Sequence, residues 1–416
     1  MKVSVIGGGS TYTPELLEGF ISLWQKLKPL SISLYDISEE RLSIVSEFLK
    51  RMIKKSKSEI EFSTVLSLEE ALKDVDFVIS QIRVGGQGAR FKDEDVPLSM
   101  GLLGQETTGP GGFANALRTI PVVLDIAKKI EKYSPNAWLI NFTNPSGIVT
   151  EAISRHTKVK VIGLCNVAIN LQNEFAQLLN LPMDDIYLDC FGLNHLTFIK
   201  RVFAKGEDVT EDAFKKIKEN ISKEDRKILE TFKMYPNYYL KYFYFREEEV
   251  KELMGKPRRA AEVAKIEASL LELYKDTNLE EKPEILSKRG GALYSTAAVN
   301  LISNLAGLQS GFQIINITNR GAISDLPYDS VVEIPVFIEK ERLQRCMIGE
   351  LPLEVKGTIQ AVKAYEQLTI EAAMECSYRK AVIALAQHPL ISSLTLAEKV
   401  LLQLIEANKG YFPNLS

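Results

Sequence analysis

A glycine-rich turn near the start of the chain has the residue types needed to bind a dinucleotide. Gly7-Gly8-Gly9-Ser10-Thr11 follows the apolar run 3–6 and precedes a stretch of helical spacing at 15–27. Glycines at such a turn let backbone N–H groups approach a pyrophosphate, which the positive end of the next helix also attracts. Asp36 ends the second strand-like run, where a carboxylate binds a ribose 2′-hydroxyl and repels a 2′-phosphate. We therefore predict an NAD site. Since Tyr12 stands in place of the third glycine of G-x-G-x-x-G, an ordinary tight turn is the alternative.

Two arginines near a second glycine-rich segment are candidates for binding an anion. Arg83 and Arg90 flank Val84-Gly85-Gly86-Gln87-Gly88-Ala89, directly after the apolar run 77–82. Basic side chains on a glycine-rich loop suit a dianionic group such as a phosphate. The alternative is that both arginines are solvated surface residues.

The elements that carry these residues alternate between strand and helix periodicity over the first 165 residues. The strand-like runs lie at 3–6, 32–35, 59–65, 76–82, 137–141 and 160–164. Such alternation predicts crossover connections and a mainly parallel sheet, which binds ligands beyond the carboxyl ends of its strands. We predict an α/β fold whose residues 1–165 form a Rossmann-type NAD-binding domain.

The pattern changes after residue 165. Runs 186–190 and 196–202 are typical of antiparallel strands, as are 312–317 and 331–337. Helical spacing occurs at 260–274, 292–304, 358–375 and 394–408. We predict an α+β second domain over residues 166–416.

Composition excludes several classes of protein. The 416 residues are 45% apolar and 25% charged, as in ordinary globular proteins, and the net charge of −3 offers no basic surplus for nucleic acid. No run reaches the roughly 18 apolar residues of a membrane helix, and the N-terminal apolar run is too short for a signal peptide. Four cysteines are too few for a disulfide framework. We expect a cytoplasmic protein with no nucleic-acid or membrane partner.

Four motifs in a fixed order resemble a known family of enzymes. They are Gly7-Gly8-Gly9-Ser10-Thr11-Tyr12-Thr13-Pro14, Gly104-Gln105-Glu106-Thr107-Thr108-Gly109-Pro110-Gly111-Gly112, Asn141-Phe142-Thr143-Asn144-Pro145 and Gly192-Leu193-Asn194-His195. Together they resemble the NAD- and metal-dependent glycosidases of glycoside hydrolase family 4. The resemblance covers most of the chain, most densely before about residue 259. It implies a Rossmann domain followed by a C-terminal domain like that of lactate and malate dehydrogenases. By the same resemblance, residues 166–416 bind substrate and metal and carry the contacts of a homodimer or homotetramer.

The resemblance also implies a redox-elimination reaction on a small phosphorylated disaccharide or aryl glycoside. The C3 hydroxyl of the sugar is oxidised to a ketone by NAD⁺, which acidifies the C2 proton. A base removes that proton, a divalent cation stabilises the enediolate, and the aglycone leaves. Water then adds, and the reduced cofactor returns the hydride.

By motif match, Cys165 and His195 are the metal ligands. Two protein ligands leave positions for water and for substrate oxygens, as a catalytic metal requires. The resemblance implies Mn²⁺, whereas the softness of a thiolate and an imidazole favours Zn²⁺, so another divalent metal remains open. The alternative for Cys165 is a buried cysteine that only fills the core.

The catalytic base is chosen among five tyrosines within residues 235–244. Tyr239, followed 20 residues later by Arg259 in Arg258-Arg259-Ala260, matches the family pattern for the base and a substrate-binding arginine. A phenol with a pKa of ~10 is a weak base at neutral pH. The resemblance therefore implies that the metal and Arg259 favour the anion of Tyr239. Aromatic packing is the alternative for these tyrosines.

The remaining matched residues concern the substrate. Arg90 and Asn144 correspond to contacts with the substrate phosphate and sugar, and Glu106 either orients the metal site or caps a helix. Family members with Asp after the metal-binding cysteine tend to act on α-linked 6-phosphoglucosides, and those with Asn on β-linked ones. Cys165-Asn166 follows the second pattern, so Asn166 is a substrate-binding residue and a 6-phospho-β-glucoside such as cellobiose-6-phosphate is the expected substrate. Because Asn supplies no proton, the donor to the leaving group has no assigned residue.

Three alternatives stay open. One is a family member acting on 6-phospho-α-glucosides or on unphosphorylated glycosides. A second is an NAD-dependent 2-hydroxyacid dehydrogenase, which would use His for acid–base chemistry and Arg for a carboxylate, without needing Cys165. A third is a nucleotide sensor without catalysis. His156 and His388 are expected to be structural or surface residues.

Overall fold

The structure, a computed structural model, describes residues 1–291 and 293–416. Its first six strands are short, as buried apolar runs of a parallel sheet are expected to be. They are β1 (Lys2–Ile6), β2 (Ser31–Tyr35), β3 (Glu61–Thr64), β4 (Phe77–Ser80), β5 (Trp138–Asn141) and β6 (Lys160–Gly163). All pair in parallel in the order β3-β2-β1-β4-β5-β6, which is the Rossmann order. The predicted fold class is confirmed.

The later strands extend this sheet and form a second one. They are β7 (Ile186–Leu193), β8 (Leu196–Ala204), β9 (Glu207–Asp208), β10 (Tyr235–Pro236), β11 (Ser310–Thr318), β12 (Val331–Glu339) and β13 (Arg342–Arg345). β11, β12 and β13 continue the first sheet beyond β6 as antiparallel strands, so that it has nine strands in the described part of the chain. β10, β8 and β7 form the second sheet, and β9 pairs with β8. The first sheet thus contains residues from both sides of position 165, and the division of the chain at that position stays a prediction.

Helices cover the sheets. Those of the first half are α1 (Thr13–Leu27), α2 (Glu39–Ser56), α3 (Leu68–Ala71), α4 (Gly86–Ser99), α5 (Gly109–Tyr133), α6 (Ser146–His156) and α7 (Asn166–Leu179). A 3₁₀ turn, Met183–Asp185, follows. Those of the second half are α8 (Thr210–Ile217), α9 (Lys223–Phe232), α10 (Leu240–Tyr244), α11 (Arg246–Met254), α12 (Arg259–Lys275), α13 (Ile285–Arg289), α14 (Tyr294–Leu305), α15 (Leu353–Glu375), α16 (Tyr378–Gln387) and α17 (Leu394–Ala407). The helix predicted over 292–304 is α14, and Ala292 lies outside the described residues.

The segment predicted as a glycine-rich loop after β4 differs from that expectation. Gly85 has φ +77° and ends the turn, and helix α4 begins at Gly86. Helix α4 packs Ala89, Asp93 and Leu98 inward, so tertiary contacts override the poor helix propensity of its glycines. Arg90 therefore lies on a helix rather than on a loop.

A buried ion pair joins α4 to the long central helix α5. Arg118 donates two hydrogen bonds to the carboxylate of Asp93, at 2.7 and 2.5 Å, and both side chains are inaccessible to solvent. Arg118 also donates to the carbonyl of Val84 at 3.0 Å and to Asn408 Oδ1 at 3.3 Å. The pair thus holds the turn after β4 in place.

No helix among the described residues is both long and apolar enough to cross a membrane.

Replacing Arg118 by Met should strongly destabilise the fold, because it leaves the Asp93 carboxylate buried without a partner. We expect the free energy of unfolding to fall by about 3–5 kcal/mol in urea titrations. The control is Lys129→Met, since Lys129 forms ion pairs with Asp125 (3.0 Å) and Glu69 (3.3 Å) at the surface. It should cost less than about 1 kcal/mol, and equal losses in the two variants would contradict the argument.

Candidate active site

The two predicted metal ligands lie on different elements and meet in the interior. Cys165 follows β6 and directly precedes α7, whereas His195 lies in the turn between β7 and β8 with φ +65°. Cys165 Sγ and His195 Nε2 are 3.5 Å apart, and both side chains are buried. Protein bonds from a zinc ion to sulfur and nitrogen are about 2.3 and 2.0–2.1 Å, so one ion of that size can contact both atoms.

The protonation of the pair suits a divalent cation. Burial lowers the pKa of His195 to about 4, only partly offset by the carboxylate of Glu106, so the imidazole is neutral and keeps a free lone pair. Burial, together with the charge of Glu333, raises the pKa of Cys165 to about 12, so its thiol must lose a proton when it binds a metal. Within residues 1–291 and 293–416, no His, Cys, Asp or Glu completes a group of three around this pair. The donor set therefore fits a cation that keeps open positions.

The predicted base lies against the predicted metal ligand. The ring of Tyr239 stacks on that of His195, with centroids 3.9 Å apart and planes 9° from parallel. Burial, with a smaller contribution from Cys165, raises the pKa of Tyr239 above its usual value. The phenol is therefore neutral, and acting as a base requires a positive charge beside it.

Glu106, whose charge acts on the predicted metal ligand His195, forms ion pairs with the two arginines noted in the sequence. Arg83 and Arg90 both form ion pairs with Glu106, the Nη2 of Arg90 lying 2.9 Å from Oε1, and Arg90 also pairs with Glu94 at 2.8 Å. Burial alone would raise the pKa of Glu106, but the two guanidinium groups hold it below its usual value. Glu106 thus remains ionised near His195 and directs its side chain to the arginines. The N-cap residue of α5 is Thr108, so Glu106 does not cap that helix.

The glycine turn has the shape of a nucleotide site. A Cβ on Gly8 would lie 2.7 Å from that of Leu34, and the N–H of Gly9 donates to Asp36 Oδ2 at 2.8 Å. Asp36 Oδ1 accepts from the N–H of Ser38 at 2.9 Å, yet a carboxylate has further lone pairs for a ribose hydroxyl. In the part of the chain that the structure describes, the buried hydroxyl of Thr11 has no hydrogen-bond partner. These observations fit a bound dinucleotide.

Sequence reasoning missed two charged residues at this turn. Arg289 Nη2 lies 3.0 Å from Glu267 Oε1 and 3.4 Å from Ser10 Oγ. Glu267 also lies 3.6 Å from Arg41 Nη2. Neither residue belongs to a motif, and more than 250 positions separate them from Ser10, so only the fold reveals that they are neighbours.

The other predicted substrate residues are more scattered. Asn144 Oδ1 is buried with no partner among the described residues, and Asn166 is the first residue of α7, beside Cys165. Arg259, at the start of α12, is half exposed and donates to Glu262 Oε2 (3.0 Å) and to the carbonyl of Lys288 (2.7 Å). Its guanidinium therefore does not contact Tyr239, and the roles of these residues stay predictions.

Comparison with known proteins identifies relatives of the whole chain. Residues 2–181 match the model of the family 4 glycosyl hydrolases, and residues 190–391 match that of the family 4 glycosyl hydrolase C-terminal domain. A probable 6-phospho-β-glucosidase of Bacillus subtilis is 42% identical, over 99% of this chain and 97% of that protein.

Solved structures of related proteins match the same length of chain. The 6-phospho-β-glucosidase of Thermotoga maritima with NAD and glucose-6-phosphate has a TM-score of 0.94 at 41% identity, over 99% of each chain. Another structure of that protein contains manganese, NAD⁺ and glucose-6-phosphate. Malate dehydrogenase from Plasmodium falciparum, at 15% identity over 90% of this chain and 99% of its own, shares the fold with a TM-score of 0.56. The expected dehydrogenase-like architecture is confirmed.

If Cys165 and His195 bind Mn²⁺ as predicted, their pKa values determine how that binding depends on pH. Between pH 6 and 8 His195 is already neutral, whereas Cys165 must release one proton on binding. The association constant should therefore rise about tenfold per pH unit, as measured from the free Mn²⁺ signal in electron paramagnetic resonance (EPR) titrations.

Two variants make this measurement specific. The Cys165→Ala variant should bind Mn²⁺ weakly, and its association constant should not rise with pH. Cys376 is a free cysteine at the end of α15, so the Cys376→Ala variant should behave like the unaltered protein. A slope that survives in Cys165→Ala would show that another group releases the proton.

Proposed function

The chain belongs to family 4 of the glycosyl hydrolases, and from that premise we propose that it hydrolyses 6-phospho-β-glucosides such as cellobiose-6-phosphate, using NAD⁺ and Mn²⁺. The observation that carries the proposal is the approach of Cys165 Sγ to within 3.5 Å of His195 Nε2, beneath the ring of Tyr239. Relatives at 42% and 41% identity carry the name 6-phospho-β-glucosidase. Asn166, beside Cys165, supports the same choice of substrate.

The proposed reaction takes place at two neighbouring carbons of the sugar, C3 and C2. When bound, NAD⁺ takes and returns a hydride at C3, and the divalent cation stabilises negative charge on the neighbouring oxygens. The backbone of Gly7-Gly8-Gly9-Ser10-Thr11 holds the pyrophosphate, and Asp36 accepts a hydrogen bond from the ribose. Cys165 and His195 hold the cation at the C2–C3 edge of the sugar.

Tyr239 takes the proton from C2. Its ring stacks on that of His195, so the phenol is held beside the proposed metal ligands. Burial keeps Tyr239 protonated until a positive charge lies beside it, which limits its basicity to the assembled site.

The substrate phosphate binds Arg90, with Arg83 beside it. Both guanidinium groups are paired with Glu106, so they are ordered before a substrate arrives. Planar guanidinium groups bind phosphate through paired hydrogen bonds. The unpartnered Oδ1 of Asn144 accepts a sugar hydroxyl, and Arg259 turns from Glu262 to the substrate.

A 6-phospho-α-glucosidase is the second candidate within the family. Relatives at 31% identity carry that name, and their alignments also span the whole chain. The Asn at position 166 favours the β-linked substrate, because the α-acting pattern has Asp there. We also propose that the protein is cytoplasmic and forms a homodimer or homotetramer. Light scattering of the purified protein would determine the number of subunits.

The substrate assignment is tested with nitrophenyl 6-phosphoglucosides, NAD⁺ and Mn²⁺ under reducing conditions, which keep Cys165 able to bind a metal. We expect the β anomer to be hydrolysed at least about tenfold faster than the α anomer, a difference of about 1.4 kcal/mol in barrier height, without net formation of NADH. A preference for the α anomer would reverse the assignment. Steady NADH formation from a 2-hydroxy acid would instead indicate a dehydrogenase.

The role of Tyr239 is tested by following exchange of the C2 proton in D₂O. Tyr239→Phe keeps the stacked ring but removes the hydroxyl, so the exchange rate should fall by about 10²–10⁴-fold. Its Mn²⁺ affinity should be unchanged. Tyr238→Phe is the matched control, because that exposed residue bonds to Glu174 and should exchange normally. Normal exchange in Tyr239→Phe would assign the base to another residue.

A further inference from the structure

Arg289 comes from the second half of the chain and lies beside the glycine-rich turn at residues 7–11. Its Nη2 is 3.4 Å from Ser10 Oγ, and its guanidinium carbon is 5.8 Å from the centre of the Tyr12 ring. The side chain is 19% exposed, so its charge is largely shielded from water. Burying a charge is costly unless it is paired, so the position of Arg289 calls for a reason.

Two hydrogen bonds hold the segment that carries Arg289 against the turn. Tyr274, near the end of α12, donates its hydroxyl hydrogen to the carbonyl of Thr11 at 2.8 Å. Tyr12 donates to the carbonyl of Gly291 at 2.7 Å. These bonds lie on either side of Arg289 along the chain, so the position of its guanidinium beside the turn does not depend on a single contact.

The carboxylate of Glu267 orients Arg289 together with a second arginine. Glu267 Oε1 accepts hydrogen bonds from Arg289 Nε (3.2 Å) and Nη2 (3.0 Å), and its Oε2 lies 3.6 Å from Arg41 Nη2. Arg41 Nε also donates to the carbonyl of Gly9 at 3.2 Å. Because Glu267 shares its charge between two guanidinium groups, it orders Arg289 without neutralising it fully.

Part of the Arg289 guanidinium remains available to a ligand. An arginine side chain has five N–H groups. Those on Nε and Nη2 face Glu267 and Ser10, whereas Nη1 donates to no acceptor among the described residues. Guanidinium groups bind phosphate through paired, charge-assisted hydrogen bonds. The free donors of Arg289 therefore suit an anion at the turn.

We propose that Arg289 binds the pyrophosphate of the dinucleotide. Ser10 belongs to the turn where a pyrophosphate meets the backbone N–H groups and the start of α1, so a guanidinium beside Ser10 Oγ lies within reach of the same group. Glu267 is then the positioning residue that orders Arg289 before the cofactor arrives. The proposal rests on the use of NAD⁺ in the proposed function, but cofactor binding can be measured without turnover.

Arg289→Met tests the contact by removing the guanidinium. We expect the Kd for NADH, measured from nicotinamide fluorescence without substrate or metal, to rise about 10–100-fold, because hydrogen bonds to a charged group are lost. Arg289→Lys keeps the charge without the planar fork and should recover only part of the loss. Lys288→Met is the matched control, because Lys288 is the exposed neighbouring cation on α13, and its Kd should be unchanged.

Competition against NADH separates a lost phosphate contact from a loosened site. ADP-ribose contains the pyrophosphate, whereas adenosine contains no phosphate. In Arg289→Met the inhibition constant of ADP-ribose should rise by the same factor as the Kd for NADH, and that of adenosine should stay unchanged. The fold should remain intact, because Glu267 keeps its contacts with Arg41 (3.6 Å) and with Gln87 Nε2 (3.2 Å).

Three results would overturn the proposal: an unchanged Kd for NADH in Arg289→Met, an equal loss of affinity in Lys288→Met, or equal losses for ADP-ribose and adenosine. If one of them is found in a protein that hydrolyses 6-phospho-β-glucosides, the role of Arg289 fails and the proposed function stands. If the unaltered protein does not hydrolyse them but Arg289→Met weakens NADH binding as expected, the proposed function fails and the role of Arg289 stands.

Discussion

The structure depends on the close approach of one sulfur and one imidazole nitrogen supplied by two separate sheets. Cys165 is carried by the end of the parallel sheet, where β6 passes into α7, and His195 by the turn of the antiparallel pair β7 and β8. Their 3.5 Å separation therefore requires the two sheets to be fixed against each other. The left-handed backbone of His195 is a costly conformation for a residue with a side chain, and it persists because surrounding contacts hold it.

Burial determines the chemistry available at this meeting point. It keeps His195 neutral and Cys165 and Tyr239 protonated, so none of the three carries a charge before ligands arrive. The charged side chains nearby form ion pairs, such as Arg90 with Glu106 and Arg289 with Glu267. Such pairs keep guanidinium groups ordered and satisfied in the interior while leaving them able to bind a phosphate.

Much of this arrangement could be predicted from the sequence because it follows local rules. Strand and helix periodicity predicts the parallel sheet, and the glycine turn with Asp36 predicts where a nucleotide lies. The motif match selected Cys165 and His195, which the fold brings together. Helix α4 was missed because glycines and a proline mask its pattern, although its buried face holds it in place.

Side chains whose contacts are distant in the sequence belong to no recognisable motif. Arg289 reaches Ser10, and Glu333 reaches Asn194, only because distant strands and helices pack together. Arg259 was chosen from a spacing of 20 residues to Tyr239, but the structure directs its guanidinium to Glu262. Spacing along a chain does not fix which side chains meet when a turn and two helices intervene.

A crystal of the protein grown with MnCl₂ and NAD⁺ would test the shared metal site most directly, through an anomalous difference map collected near the manganese edge. The account predicts one strong peak within bonding distance of both Cys165 Sγ and His195 Nε2, facing the nicotinamide. A peak bound to only one of these side chains, or one remote from the nicotinamide, would contradict it.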